Sequence, residues 1–307
     1  MSCRVDPRLK ISDVTDAGNF VRLIELFPPT LPAPHLLRDN QNIDLSSRFE
    51  RLLQSITTLE TLADGFCLPE LKDADRIHLN SVGLASELRR RTGSAIVPTI
   101  TLRDSNRQQI LGTVAYAIFA GIENILLVRG DPYSAKEERV PMNVYDFKTI
   151  SSIVSLFRRM ESHLTGGKKA ITILCPINLA KSNDSKYVDT IRERESAGVD
   201  LLIAESLFED VQNHLERVRV IRKAGIRLPI IHTIFPLKNV EDATNLVRKF
   251  GWRISEDELD GLKRSGSEFG VAKARERYRE LLNHRDQAEG ASISTRGDPE
   301  IARLITT

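Results

Sequence analysis

Residues 21–29 read Val-Arg-Leu-Ile-Glu-Leu-Phe-Pro-Pro, a short apolar run that contains one carboxylate and ends at two prolines. The run has the length of a strand, and proline continues neither a helix nor the hydrogen-bond ladder of a sheet. The stretch therefore predicts a buried strand. A carboxylate inside such a strand is costly to bury unless it is paired or functional. Glu25 is thus either a strand-end residue whose side chain reaches water, or a functional acid.

Seven further stretches of strand type follow, separated by segments with the apolar spacing of helices. These strands are predicted at residues 76–81, 95–101, 124–128, 170–175, 199–205, 229–235 and 291–295. Alternation of buried strands with helices implies parallel pairing, with the helices outside the sheet. Eight such units in 307 residues fit an α/β fold of the closed (β/α)8 type, the TIM barrel, better than an open doubly wound sheet. The first strand is followed by Pro28-Pro29 and not by GxGxxG, which also disfavours a dinucleotide-binding fold.

The predicted domain organisation is a single barrel domain over residues 1–307, with a helix-rich insertion at about 255–282 between the seventh and eighth strands. Hydrophobic residues make up 41% of the chain and charged residues 28%, which is typical of a soluble globular protein. No apolar segment approaches the roughly 20 residues that span a bilayer. The first ten residues contain no apolar core of a signal peptide, so the expected location is cytoplasmic, without a membrane partner.

Charge and cysteine content argue against several kinds of partner and binding site. The formal net charge is +2, and the Lys and Arg residues are scattered along the chain, so no nucleic-acid partner is predicted. Cys3, Cys67 and Cys175 are far apart and form no CxxC, which argues against a disulfide framework and a thiolate metal site. No HxH or HExxH spacing occurs, so no metal ligands are predicted.

In a barrel of this type, chemistry takes place at the carboxyl ends of the strands. Three carboxylates, Glu25, Asp131 and Glu205, follow or end predicted strands and are expected to meet at one rim. Carboxylates that share a cleft push each other's pKa values apart, so that one of them can donate a proton near neutral pH. The alternative is a structural network, with Asp131 held by Arg129 or Arg296. His232 is either a buried core histidine or a ligand.

Three segments, taken together, resemble signatures of one known family. They are Leu23–Pro29, Val128–Pro132 and Ala197–Glu205. They are similar to the E-F-F-P-P strand, the L-R-G-D turn and the A-G-A-D-xxx-T-Q strand of methylenetetrahydrofolate reductases. Their order and approximate spacing are those of the family, and residues 229–236 resemble its seventh strand.

The resemblance implies a (β/α)8 barrel that usually holds FAD, accepts hydride from NADH or NADPH, and converts 5,10-methylenetetrahydrofolate to 5-methyltetrahydrofolate. It implies that Glu25 is the catalytic acid, which protonates the folate imidazolidine ring so that it opens to an iminium ion that accepts hydride. It also implies that Asp131 contacts the flavin or pterin edge, and that Arg129 and Gly130 lie on the same loop. Barrels of this family commonly self-associate, so a homo-oligomer is expected.

The chain departs from the family at several positions. Glu205 stands where the family has a folate-contacting glutamine, and Leu246 where it has a folate-stacking phenylalanine. Residues 98–101 read Pro-Thr-Ile-Thr instead of P-H-L-T, and residues 174–177 read Leu-Cys-Pro-Ile instead of A-Y-P-E. The resemblance thus implies two residue sets. The substrate set is Glu25, Glu205 and Leu246; the cofactor set is Asn80, Thr99, Val128, Arg129, Gly130, Asp131, Cys175 and Arg194.

Two versions of the activity stay open from the sequence. In one, FAD carries the hydride; in the other, the loss of two flavin contacts reflects direct transfer from the nicotinamide. A different class of function is a barrel that binds a pterin or another one-carbon carrier without reducing it, which the carboxylate of Glu205 favours.

Overall fold

The computed structural model describes residues 10–33, 36, 43–70, 75–130, 149–205, 210–250 and 254–307. Its strands are β1 (Val21–Glu25), β2 (Thr30–Pro32), β3 (Gly65–Leu68), β4 (Arg76–His78), β5 (Ile96–Thr101), β6 (Asn124–Val128), β7 (Thr172–Ile177), β8 (Leu201–Ala204), β9 (Ile230–Ile234) and β10 (Gly290–Ser294). Its helices are α1 (Ile11–Asp16), α2 (Leu45–Leu59), α3 (Ser81–Thr92), α4 (Arg107–Phe119), α5 (Ile150–Thr165), α6 (Ser185–Ala197), α7 (Val211–Lys223), α8 (Val240–Phe250), α9 (Glu256–Asn283) and α10 (Glu300–Thr306).

Eight parallel strands close into a barrel in the order β1-β3-β5-β6-β7-β8-β9-β10. Closure occurs at β1, where Glu25 is in register with Cys67 of β3 on one side and with Ser294 of β10 on the other. The prediction of a (β/α)8 barrel is confirmed. Within the described ranges, none of the helices has both the length and the apolar character needed to cross a bilayer.

The prediction that residues 76–81 form the second strand of the barrel is wrong. The second strand of the barrel is β3, residues 65–68. Strand β4, residues 76–78, lies outside the barrel and pairs antiparallel with β2, residues 30–32. Four residues with one glycine and one cysteine make a weak periodic signal, whereas residues 76–81 alternate in polarity as a half-exposed ribbon strand does.

Side chains of the barrel strands alternate between two cores, as the two-residue period of a strand requires. One core lies inside the barrel, and its buried members are Ile11, Val21, Leu23, Cys67, Ala95, Val97, Leu174, Leu201 and Ile231. The larger core lies between the strands and the helices, and includes Ile24, Ile125, Cys175 and Ile230. Each residue of a barrel strand can therefore be assigned to the interior or to the helix layer.

Helix α1 covers the amino-terminal end of the barrel. Ile11 is 1% exposed in the interior core, and its backbone N–H donates to Asn124 Oδ1 at 2.8 Å. Space for this packing comes from glycine, because a β-carbon at Gly65 would lie 2.9 Å from Ile11 Cδ1. The amino-terminal end of the interior is thereby filled, and a ligand would enter from the carboxyl end.

Four buried or half-buried ion pairs lie at the amino-terminal ends of alternate barrel strands. In each pair the acidic residue immediately precedes a strand, β3, β6, β8 or β10. The pairs are Arg22–Asp64 (3.1 Å), Arg89–Glu123 (3.2 Å), Arg158–Asp200 (2.5 Å) and Arg222–Glu289 (2.6 Å). Several of these carboxylates also accept a strand N–H, as Asp200 does from Ile173 at 2.7 Å. In a barrel, this face serves stability and not chemistry.

The helical segment between the seventh and eighth barrel strands is present, as predicted, and has two parts. Ala274, Tyr278 and Leu281 of α9 belong to the core that covers the barrel. Helix α8 and the first part of α9 instead form a separate small cluster, centred on Leu237 and Leu262. The second half of α9 is thus the helix that covers the barrel between β9 and β10. Helix α8 and the first part of α9 are additional to the barrel and lie beside the carboxyl end of β9.

Candidate active site

Glu25 lies at the carboxyl end of β1 with its side chain directed toward the barrel axis. Val21, Leu23 and Glu25 occupy one face of the strand, and the first two belong to the interior core. Ile24, between them, packs on the helix layer. Glu25 is therefore at the mouth of the barrel, above the apolar side chains of the interior core.

The neighbouring strand holds the carboxyl group in place. Ser294 Oγ donates to Glu25 Oε1 at 2.7 Å, and Thr295 Oγ1 donates to the backbone oxygen of Glu25 at 2.8 Å. Burial raises the pKa of Glu25 above its usual value, against the opposing effects of the Ser294 hydrogen bond and the positive charge of Arg296. A carboxyl group with these neighbours can keep its proton closer to neutral pH, as a general acid requires.

Cys67 lies beside Glu25, on the interior face of β3. Burial and the negative charge of Glu25 raise the pKa of the thiol to about 12. A thiol with such a pKa stays protonated and is a poor nucleophile. Among the described residues, no group of three or more His, Cys, Asp or Glu is arranged to hold a metal ion.

Arg296 follows β10 and has a φ of 54°, which is unusual for a residue with a side chain. Three contacts hold it in place. Its two Nη atoms donate to both carboxylate oxygens of Asp242 at 2.8 and 2.9 Å, and its guanidinium carbon lies 4.3 Å from the ring centroid of Phe235. Lys238 Nζ donates to its backbone oxygen at 3.2 Å. Burial favours protonation of Asp242, but the bonds from Arg296 and from the Lys238 N–H outweigh it and lower its pKa. A fixed positive group thus lies on the Glu25 side of the mouth.

Strand β5, two strands from β1 in the barrel, forms the next part of the mouth. Thr99 and Thr101 share a face with Val97 of the interior core, and both are buried. The N–H of Thr101 donates to Glu70 Oε2 at 2.9 Å, and its hydroxyl donates to the Glu70 backbone oxygen at 2.9 Å. Glu70 follows β3 and is a further carboxylate at the rim of the barrel. The sequence did not indicate it because β3 was not predicted.

The turn after β6 packs tightly on the same strand. Val128 shares a face with the interior residue Leu126, and the N–H of Arg103 donates to the Arg129 oxygen at 3.1 Å. Gly130 has a φ of 91°, and a β-carbon there would lie 2.7 Å from Arg103 Cβ. Only glycine fits this position. Asp131, the expected partner of Glu25, lies outside the described residues.

Glu205 continues the interior face of β8, and its N–H donates to the Ile177 oxygen at 3.0 Å. Glu205 also lies near Tyr187. Burial raises the pKa of the Tyr187 phenol, the negative charge of Glu205 raises it further, and Arg194 opposes this increase. Arg194 reaches the end of β7, where its Nη1 donates to the Pro176 oxygen at 2.6 Å. Glu205 and Arg194 are thus both at the carboxyl ends of β7 and β8.

The same end of β7 contains buried polar atoms without a hydrogen-bond partner among the described residues. They are Asn178 Oδ1, Ser182 Oγ and Arg194 Nε. Buried polar atoms are normally paired, so unpaired ones beside a mouth indicate a polar ligand. A cation, a hydroxyl group and an amide oxygen fit the phosphate and ribitol part of a flavin nucleotide.

Cys175 and His232 do not face the mouth, and Asn80 and Leu246 belong to elements outside the barrel strands. Cys175 and His232 face the helix layer, because the interior positions of their strands are the alternate residues. Asn80 caps α3 with its side chain, accepting from the Gly83 N–H at 2.8 Å, and follows the ribbon strand β4 instead of a barrel strand. Leu246 packs within the α8–α9 cluster.

His232 has a buried partner in α7. Its Nδ1 lies 3.0 Å from His214 Nε2, and the two side chains are 0% and 2% exposed. Burial lowers the pKa of His214 to about 3, with nearby Arg217 and Arg277 acting in the same direction, and lowers that of His232 well below its usual value. Both rings are neutral at neutral pH, which supports the interpretation of His232 as a core histidine.

Comparisons with known proteins agree with the fold and with the sequence signatures. A solved structure described as 2,3-dimethylmalate lyase, a member of the PEP mutase/isocitrate lyase superfamily, matches with a TM-score of 0.51 at 10% identity, covering 96% of this chain and 83% of that chain. At this identity the likeness shows the barrel fold alone. No curated protein matches the chain. The family model described as methylenetetrahydrofolate reductase matches residues 10–282, and the chain therefore belongs to the methylenetetrahydrofolate reductase family.

Proposed function

We propose that this protein is an oxidoreductase that transfers hydride from NADH or NADPH to 5,10-methylenetetrahydrofolate and gives 5-methyltetrahydrofolate. The observation that carries the proposal is the carboxyl group of Glu25, which lies at the barrel mouth with a raised pKa and a fixed orientation. Family membership supports the type of reaction and the folate substrate. Glu25 is the residue that this chain supplies for proton transfer.

The geometry of Glu25 supports a defined proton donor. Because Oε1 accepts from Ser294 Oγ, Oε2 is the oxygen that carries the proton in the neutral acid. Transfer of this proton to the nitrogen that leaves the folate imidazolidine ring opens the ring and leaves an iminium carbon, which accepts the hydride. The resulting carboxylate is stabilised by Ser294 and by the charge of Arg296, while burial favours its return to the neutral form.

The atoms at the end of β7 support FAD as the carrier of the hydride. Arg194, Asn178 and Ser182 would hold its polar part, and Gly130 lets the turn after β6 pack directly against β5 at the mouth. FAD held there would supply a two-electron carrier between the nicotinamide and the folate. The direct version needs no such carrier. A yellow preparation with the visible absorption of oxidised flavin would exclude the flavin-free version.

The proposal is tested by following NADH or NADPH oxidation in the presence of 5,10-methylenetetrahydrofolate, with and without added FAD. We expect oxidation that depends on the folate and yields 5-methyltetrahydrofolate. Absence of folate-dependent oxidation in pure, folded protein under both conditions would contradict the proposal.

A second candidate is a barrel that binds a pterin or another one-carbon carrier without reducing it. Glu205 favours it, because a carboxylate replaces the amide expected at the carboxyl end of β8 and adds negative charge beside the mouth. Calorimetric titration with tetrahydrofolate distinguishes the two candidates when read beside the oxidation assay. Binding without turnover supports the carrier, and the variant Glu205→Gln is then the first to examine for recovered turnover.

A further inference from the structure

Helix α4 has an outer surface unlike those of α3, α6 and α7 in the barrel wall. Residues 108–122 contain no charged side chain, in a protein of which 28% of residues are charged. Helices α3, α6 and α7 instead carry exposed ion pairs one turn apart, which are Arg90–Glu87, Arg192–Asp189 and Arg219–Glu216. An uncharged outer face is the composition of an interface core and not of a solvated wall.

The inner face of α4 already accounts for its packing on the barrel, since Ile110, Val114 and Ala117 are buried there. Two aromatic residues lie on the opposite side: Tyr116 is 46% exposed and Phe119 is 86% exposed. Their ring centroids are 6.5 Å apart, so they form one continuous patch. Exposed aromatic patches of this kind mark sites of association.

A notch lies beside this patch on the same helix. Gly112 precedes Tyr116 by one turn and Phe119 by two turns, at the i, i+4, i+7 spacing of a single helix face. A β-carbon at Gly112 would have no atom within 4 Å, so the space above it is open. Thr113, at its flank, directs its hydroxyl to the Gln109 backbone oxygen at 2.9 Å, which leaves its methyl group outward.

We propose that a second copy of this chain covers the outer face of α4, with the two α4 helices antiparallel across a two-fold axis. Gly112 and Phe119 are equally far from a point between Ala115 and Tyr116. An antiparallel copy centred on that point therefore places Phe119 over Gly112 of the partner subunit, and Tyr116 over Ala115 of the partner subunit. Both contacts pair a large side chain with a small one, and the two-fold axis makes each contact occur twice.

The self-complementary pattern is the reason to assign a second copy instead of an unrelated partner. In a two-fold interface, the same patch must supply both the projecting groups and the spaces that receive them. Residues 112–119 do both. A stable dimer buries about 800 Å² per partner, more than one helix face provides. Leu164, 55% exposed at the carboxyl end of the neighbouring α5, lies where the interface would extend.

Sedimentation equilibrium of the full chain across a wide concentration range tests the proposal, which does not depend on the proposed function. We expect a mass twice the 34.5 kDa of one chain, dissociating on dilution. Phe119→Lys should weaken dimerisation by more than about 100-fold, because the substitution enters the interface twice. Leu304→Lys, at an exposed leucine of α10, is the matched control and should leave the mass unchanged.

Gly112→Leu separates the interface from the fold. A side chain there meets open space in the single chain and removes a glycine from a helix, so the thermal midpoint should not fall at concentrations where the wild type is dissociated. In the dimer it fills the space that receives Phe119, so the dimer should weaken about as much as with Phe119→Lys. A wild-type protein that stays monomeric at all concentrations would overturn the proposal. Dimerisation of wild-type strength in either α4 variant would also overturn it.

Discussion

The buried pair His214–His232 predicts a specific sensitivity to acid. Both rings are neutral in the folded protein, because burial lowers the pKa of His214 to about 3 and that of His232 well below its usual range. In the unfolded chain both rings gain a proton near pH 6.5. At pH values between the folded and the unfolded pKa, the unfolded state binds more protons than the folded state. The contribution of the pair to the free energy of unfolding is therefore fully present above pH 6.5 and is lost as the pH falls.

The size of the effect follows from the two pKa values of each ring. Lowering the pH from 7 to 5 stabilises the unfolded state by about 2 kcal/mol for each histidine whose folded pKa lies well below 5. The pair thus accounts for about 4 kcal/mol of lost stability, or roughly 6 °C in thermal midpoint for a chain of this length. Other groups also titrate over this range, so the comparison must be made with a variant that lacks the pair.

Urea unfolding at pH 7 and pH 5 gives the difference directly. The double variant His214→Leu, His232→Leu replaces the pair with apolar side chains of similar size, and should lose about 4 kcal/mol less than the wild type between the two pH values. His163→Gln, at an exposed position in the last turn of α5, is the control and should behave as the wild type. An equal loss of stability in the wild type and the double variant would refute the reasoning.

Three further predictions concern charged groups. Arg158→Ala removes the arginine shared by Asp200 and Glu161, whose side chains are both 6% exposed, and should lower the free energy of unfolding by about 3–5 kcal/mol in a urea titration. Because the pKa of Glu25 is raised, the folded protein binds more protons just above pH 4.5, so stability should decline there as pH rises; Glu25→Gln should lack this decline in thermal scans. Asp242→Asn removes the counter-charge of Arg296 and should move the Glu25-dependent limb of the pH–rate profile to lower pH.

Most of the barrel could be predicted from the sequence because its strands are apolar runs that end at prolines, glycines or polar residues. Glu25 could be assigned to the mouth for the same reason, since Pro28 and Pro29 end the run that carries it. Strand β3 could not, because its four residues give too short a pattern. That one error assigned Asn80 to the end of a barrel strand and concealed Glu70.

The contacts that tune Glu25 were not predictable, because they join residues far apart in the chain. Ser294 is 269 residues from Glu25, and Arg296 is 54 residues from Asp242. The orientation of Cys175 could not be read from the resemblance for a different reason. The family's aromatic position was transferred along the sequence, whereas the alternation of β7 directs Cys175 to the helix layer.

The most direct test of the central claim is the turnover of 5,10-methylenetetrahydrofolate by Glu25→Gln under saturating NADH or NADPH. Glutamine keeps the size of the side chain and can accept from Ser294, but it cannot donate the proton that opens the ring. We expect kcat to fall by about 10²–10⁴-fold while tetrahydrofolate still binds, as measured by calorimetry. Turnover near that of the wild type would contradict the account and make Glu25 a structural residue.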